Sequence, residues 1–261
     1  MYIPSHLNVT DLDQQVKLIE QYPLGVLFNY NSGKAGLLDY FKSGKPPTES
    51  RVDSEMCATH LPFHYVPDAA TGGKGKLIAH LAKTNQHAQM LEENPNCLVV
   101  FQSVDSYVSP DWYPLKKKTE KFVPTWDFAC VHAYGKAKII RNDEQWLLQT
   151  LNSITDQEEG KRPLAMVADD VDGKEDSVSR DEDSPRRWEV SQTNKDHLDR
   201  LLKNIVGIEI EINSIQSKFK FQQEMPPVNV NGVIGGYARE LDPAKAEKLA
   251  DLTREQYPRQ L

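Results

Sequence analysis

The sequence predicts an α+β protein built on a small antiparallel β-barrel with flanking helices. Three observations predict it. Short apolar or alternating runs recur from Leu24 to Ile212, amphipathic helical patterns sit at the start, middle and end, and no repeating β–α alternation joins them. No GxGxxG or P-loop signature occurs, so neither a dinucleotide-binding nor a P-loop fold is supported.

Taken in order, Thr10 and Asp11 offer N-cap chemistry ahead of Leu12, Val16, Ile19 and Tyr22, an amphipathic helix that stops before Pro23. Leu24 to Tyr30 reads as a strand. Residues 31–55, rich in Gly, Pro, Ser and charge, read as a long excursion of the kind that forms lids or binding loops. Met56 to Val66 is strand-like, Gly72-Gly73-Lys74-Gly75 is a turn, and Lys76 to Leu81 is a returning strand. A short helix over 86–93 precedes the strand Cys97 to Phe101. Phe128 to Ile140 alternates as a long strand, and Asn142 or Asp143 can cap a helix carrying Trp146, Leu147, Leu151 and Ile154. Residues 165–187 are acidic and poor in apolar side chains, which predicts a mobile loop. Leu198, Leu201, Leu202 and Ile205 form a helical stripe, and Ile208, Ile210 and Ile212 alternate with Glu209 and Glu211 as a half-exposed strand. A charged helix over 243–255 reads as peripheral, so 1–240 forms the main domain and 241–261 an appended helix.

Composition narrows the function classes. A chain of 261 residues can bury roughly three-quarters of its unfolded surface and needs no disulfide or structural metal. Cys57, Cys97 and Cys130 are widely spaced and form no CxxC pair, so they read as reduced thiols. The start, MYIPSHLNVTD, lacks the features of a signal peptide, and no apolar run reaches the roughly 18 residues of a membrane span, so a cytoplasmic location is expected. Net charge is −7, and the single local basic cluster is Lys116-Lys117-Lys118 with Lys121, which argues against direct nucleic-acid binding.

Six segments in fixed order carry a family resemblance: MYIPSH (1–6), PLGVL (23–27), ATHLPF (58–63), HLAKTN (80–85), SYVSPDWYP with VPTWDF (106–114 and 123–128), and IVGIEIEI with SKFKFQQ (205–212 and 217–223). Together they resemble the PaiB-like family, described as FMN-binding negative transcriptional regulators. The resemblance implies a split β-barrel related to flavin reductases and pyridoxamine phosphate oxidases. It also implies a homodimer with a small-molecule site, for FMN in many relatives, at the interface. The matching positions Thr59, His60, Lys83, Asn85, Thr125, Trp126, Lys218 and Lys220 become candidate cofactor ligands.

The residues themselves suit that chemistry in part. Lys218 and Lys220, two apart on one strand face, suit a phosphate. Lys83, Thr84 and Asn85 can meet a phosphate near a helix start, though Asn85 alone also suits a helix cap. Tyr107, Trp112, Tyr113 and Trp126 can form a ligand wall or a core or interface cluster. His60 and His64 lie four apart, a spacing that on a strand can also serve a metal.

Three segments depart from the family pattern. Relatives usually carry Asn-Pro-Gln-Trp where this chain has Asn85-Gln86-His87-Ala88. They carry Asn at the place of Asp127, and Lys-Leu-Ser-Gln-Asn where this chain reads Lys220-Phe221-Gln222-Gln223-Glu224. Gln222 therefore joins the candidate ligands. An ionised Asp only accepts hydrogen bonds, so Asp127 and Glu224 raise a second possibility. In it the pocket serves a flavin-independent enzyme with Asp127, Glu224, His60 or His132 as acid or base. A third possibility is a non-catalytic regulator that works through protein partners.

Overall fold

Alternation in Leu24–Tyr30 (β1) buries Gly25, Leu27 and Asn29 on one face and leaves Val26 and Phe28 half-buried on the other. Lys76–Ala82 (β4) and Asn96–Gln102 (β5) repeat the pattern, as does most of Thr125–Ile140 (β7). Each strand has one apolar face to remove from water, and a curled sheet removes them all into one interior. With Met56–Pro62 (β2), His64–Val66 (β3), Ser106–Val108 (β6) and Ile205–Lys220 (β8), the sheet runs β2-β1-β5-β7-β8-β4-β3, and β6 pairs with β7 off that path. All pairings are antiparallel.

β2 and β3 are the two ends of that order, yet only Phe63 separates them in the chain. The sheet therefore returns on itself, and the fully buried Phe63 is where the chain passes from the β1 edge to the β4 edge. The antiparallel split barrel expected from the sequence is present. Leu27, Leu77, Phe101, Ile208 and Ile210 fill its interior. The computed structural model describes residues 1–30, 56–68, 73–162 and 187–258. The excursion 31–55 and the acidic stretch 165–186 lie outside the described residues.

β8 departs from its expected length and is a single 16-residue strand. Its pairing with β7 slips by one: Tyr134 faces Ser214, but Gly135 faces Ile212, so Asn213 is the extra residue of a β-bulge. Before the bulge, Val206, Ile208, Ile210 and Ile212 point inward; after it, Ser217, Phe219 and Phe221 do. Gly135 is required opposite this point, because a Cβ there would lie 2.3 Å from the Glu211 carbonyl oxygen.

Helices cover the barrel. Leu12–Gln21 (α1) starts at Asp11, whose carboxylate accepts from the Gln14 N–H at 2.9 Å. His87–Glu93 (α2) lies against β1, β2 and β7, and Lys116–Thr119 (α3) is a single exposed turn. Glu144–Glu159 (α4) packs on β3, β4 and β8, beside Lys195–Leu202 (α5). Pro227–Glu240 (α6) was not expected from the sequence. Pro243–Gln256 (α7) packs against it and buries Ala246, Leu249 and Leu252 in the common core rather than lying at the periphery.

α6 approaches the 3-10 turn Pro110–Trp112 so closely that a Cβ on Gly236 would lie 2.2 Å from Trp112 Cδ2. The Trp112 indole meets the Tyr237 ring edge-on at 5.8 Å and donates from Nε1 to Glu240 Oε1 at 2.7 Å. Gly→Ala in a helix interior ordinarily stabilises by up to about 1 kcal/mol. Here overpacking dominates: Gly236→Ala should cost about 1–3 kcal/mol. A lowered urea midpoint with unchanged slope is the expected outcome; an unchanged or higher midpoint would show that this contact is slack.

Candidate functional site

The β8 bulge decides where the lysines go. With the phase of the first half continued, Lys218 and Lys220 would face the barrel interior; one extra residue turns them outward, level with Cys130 and Phe128 of β7. Lys218 Nζ lies 5.8 Å from the Phe128 ring centroid and 5.9 Å from that of Tyr2, within cation–π range. Lys220 Nζ hydrogen-bonds the Thr125 hydroxyl, and burial lowers its pKa from the ordinary lysine value. Neither lysine forms an ion pair among the described residues. Beside them Trp126 is 53% exposed and meets Tyr107 edge-on at 6.1 Å. Two cations without acidic partners among the described residues, with a hydroxyl and the rings of Tyr2 and Phe128 in reach, thus gather at this end of β7, and the exposed Trp126 is next along the same face of the strand as Phe128.

Asp127 lies on the other side of β7, fully buried. Gln222 Nε2 donates to its Oδ1 at 2.6 Å and the Tyr237 hydroxyl donates to its Oδ2 at 2.5 Å. The Tyr113 hydroxyl donates to Gln222 Oε1 at 2.9 Å, which completes a buried chain of four polar side chains. Gln222 reaches this position from a left-handed backbone (φ 65°), which costs a non-glycine residue strain. Burial pushes the Asp127 carboxyl up to about 6, while Tyr237, Gln222 and the charge of Lys220 pull the other way. Burial and the Asp127 charge push Tyr113 up to about 12 and Tyr237 further in the same direction.

The remaining sequence candidates do not join this patch. Thr59 faces inward from β2 and shares a 2.7 Å hydrogen bond with His87 Nδ1 of α2. Asn85 Oδ1 accepts from the His87 N–H at 2.9 Å, so this side chain caps the start of α2; Lys83 and Thr84 are exposed beside it. The Lys83 N–H binds the Asn204 carbonyl just before β8 begins, whereas Lys218 and Lys220 are at that strand's far end.

His60 is exposed on the outer sheet face, in the same cross-strand row as Val26, Val100 and His132. His64 lies beyond the bend at Phe63 and pairs with Gln157 at 2.9 Å, so the two histidines do not form a metal pair. Among the described residues no group of three His, Cys, Asp or Glu side chains is arranged to hold a metal. Glu224 is a surface residue, 70% exposed and 3.4 Å from His6. The four proposed acid–base residues are thus spread over the interior, the outer face and the surface. Sequence reasoning did not find Tyr237, Tyr2 or His87 as partners of the candidate residues. Tyr2 lay within a family segment, MYIPSH, but no pattern marked its contact with Lys218.

Residues 1–214 match the family described as "Putative FMN-binding domain". The chain belongs to that family. A Saccharomyces cerevisiae protein is 51% identical over 163 residues, covering 62% of this chain and 93% of its own length. An Emericella nidulans protein is 30% identical over 274 aligned positions, covering 96% of each. The Bacillus subtilis protease synthase and sporulation protein PAI 2 is 25% identical over the full length of both chains. Among solved structures, the chain is similar to Rv2991 from Mycobacterium tuberculosis (TM-score 0.48, 13% identity, 87% of this chain and 94% of that one). It is also similar to the flavocytochrome Anf3 from Azotobacter vinelandii (TM-score 0.45, 13% identity, 84% and 72%).

FMN is the cofactor this family membership supports. The outer face here fits such a ligand: its cations lack acidic partners among the described residues, and Tyr2 and Trp126 are exposed. The family match ends before Lys218, Gln222 and Tyr237, so the structure, and not the match, associates these residues with Asp127 and Thr125.

Asp127 makes a testable contribution to stability. Its folded pKa, about 6, lies above the ordinary 3.8, so the folded state holds the proton more tightly than the unfolded chain. The resulting stability is complete below about pH 4 and is lost as pH rises through about 6. Asp127→Asn removes that loss, because the hydroxyls and the amide around it can reverse their donor and acceptor roles. The variant should equal the parent near pH 4 and exceed it by about 1–3 kcal/mol at pH 8. Thermal melts across this range check the difference; a variant less stable at pH 8 would show that the charge itself holds the network together.

Proposed function

We propose that this chain is a homodimeric FMN-binding protein with a redox role. One observation carries the reading: Lys218 and Lys220, without ion-pair partners among the described residues, lie beside Thr125, Phe128 and Tyr2, with the exposed Trp126 next along the strand. In this reading the two lysines and Thr125 hold the phosphate, and the aromatic wall receives the ring. Bound FMN would supply one- and two-electron transfer chemistry; the protein supplies binding, orientation and electrostatics.

The dimer follows from the shape of the patch. Small-molecule sites are concave and exclude most water, but this one is an open sheet face. Val26, Phe28, Leu98 and Val100 continue it as a half-buried apolar surface across β1 and β5. A second copy laid on that face would enclose the ligand. It would also allow the Thr59, Lys83 and Asn85 end of one protomer to approach a ligand on the lysines of its partner, which these residues cannot do within one chain.

The flavin-independent reading finds less support. Asp127 has both oxygens bonded inside the core, and Glu224 is at the surface, so no acid–base pair faces a common space.

Purified protein should show the visible absorption bands of oxidised flavin, or gain them on adding FMN. A protein that stays colourless and leaves FMN fluorescence unchanged on titration would end this proposal. Lys218→Ala and Lys220→Ala each remove a charge-assisted contact worth about 1.5–3 kcal/mol, or roughly 10- to 100-fold in FMN affinity. Riboflavin, which lacks the phosphate, should bind both variants and the parent alike. For the interface, Val100→Lys should convert a dimer to a monomer in sedimentation and weaken FMN binding in parallel. A dimer that persists would place the contact elsewhere.

A further inference from the structure

Lys220 and Asp127 serve different sides of β7, yet they are coupled. Lys220 Nζ is held by the Thr125 hydroxyl, and Thr125 and Asp127 are two residues apart, roughly 6–7 Å along one strand. Gln222, two residues beyond Lys220, donates directly to Asp127. The charge of Asp127 acts on Lys220, and that of Lys220 on Asp127. The other groups that face Asp127 are the Tyr237 hydroxyl from α6, the Gln222 amide, and, through that amide, the Tyr113 hydroxyl beyond the 3-10 turn. Both tyrosines stay neutral across the physiological range, because burial and the Asp127 charge raise them. Lys218 is the second cation acting on Lys220.

From this arrangement we propose that Asp127 is a proton-linked counter-charge that sets how strongly Lys220 and Lys218 hold an anion, so that anion binding is coupled to proton uptake at Asp127. The proposal deepens the FMN reading and rests on it for the identity of the natural anion. When Asp127 is ionised, it neutralises part of the field that Lys220 presents to the outer face. When it is protonated, that field is undiminished and the anion binds more tightly. Reciprocity then requires a bound anion to raise the Asp127 pKa. Asp127 is a positioning residue here: it is sealed inside the barrel and touches no ligand.

Sulfate is the first probe, because it does not titrate between pH 5 and 8. Thermal stabilisation by sulfate, matched in ionic strength with chloride, should be larger at pH 5 than at pH 8 in the parent and equal at both in Asp127→Asn. FMN is the second probe. Relative to Asp127→Asn, which removes the phosphate's own titration from the comparison, parent affinity should fall about tenfold from pH 5 to 8; riboflavin should show no such difference. A coupling of one pKa unit corresponds to that tenfold change.

Tyr237→Phe separates proton linkage from a merely structural role. It deletes one donor to the carboxylate, so the pH at which the parent effect is lost should move upward while the folded signal persists. If sulfate responds as expected but FMN never binds, the linkage stands and the FMN reading falls. Where FMN binds with the same pH dependence in parent and Asp127→Asn, the linkage is overturned and the FMN reading stands. Identical sulfate responses in the two proteins also overturn the linkage.

Discussion

The bulge at Asn213 is the constraint on which the outward lysine pair depends, because a regular β-strand has a side-chain period of two and keeps each residue on its side. β8 uses its first half to pack Val206, Ile208, Ile210 and Ile212 into the barrel and its second half to pack Ser217, Phe219 and Phe221 there. A regular strand could satisfy only one of these sets. The inserted residue satisfies both, and it turns Lys218 and Lys220 outward as a consequence. Packing demands and the outward turn of the two lysines are thus the same geometric decision. Gly135 permits it by letting the opposing backbone come within reach.

Just past the end of β8, the left-handed backbone of Gln222 takes it out of the strand's alternation and brings its side chain beneath Asp127. Buried carboxylates are costly unless their oxygens are bonded, and here both are. The supporting hydroxyl comes from Tyr237 on α6, which is pressed against Trp112 through Gly236. The helical layer after β8 is therefore part of the same unit as the barrel. It supplies one of the two donors that make an acidic side chain tolerable in the interior. Residues that are distant in the chain, on β7, after β8 and on α6, become a single electrostatic assembly.

Much of the barrel was legible in the sequence because two-faced strands advertise themselves. β1, β4, β5 and β7 show alternating or short apolar runs, and their limits follow from turn residues. β8 was only half legible: its alternation is clear from Ile208 to Ile212, then changes phase, and a phase change reads as an end. α6 was hidden for a different reason. Gly232, Gly235 and Gly236 lower its helical propensity, and the tight fit to Trp112 that at least Gly236 serves exists only in three dimensions. α7 looked peripheral because its charges dominate its composition, whereas Leu249 and its neighbours form a narrow stripe that packing against α6 fully uses. Lys218 and Lys220 could be paired from their spacing, but the direction they face could not.

Two departures from the family pattern, Asp in place of Asn and Gln in place of Ser, looked independent in the sequence, 95 residues apart. In the fold they are bonded to each other. A Ser at position 222 would be too short to bridge from its backbone to the carboxylate while also accepting from Tyr113. The longer Gln does both, and its amide offers Asp127 a donor that an Asn at 127 would need less. Together Asp127 and Gln222 close the chain from Tyr113 to Tyr237. The second acidic departure, Glu224, has no such place: it lies at the surface beside His6. The acidity gained at these two positions therefore divides by burial. At Glu224 solvent screens it, and at Asp127 the interior preserves it, close enough to Lys220 for the two charges to act on one another.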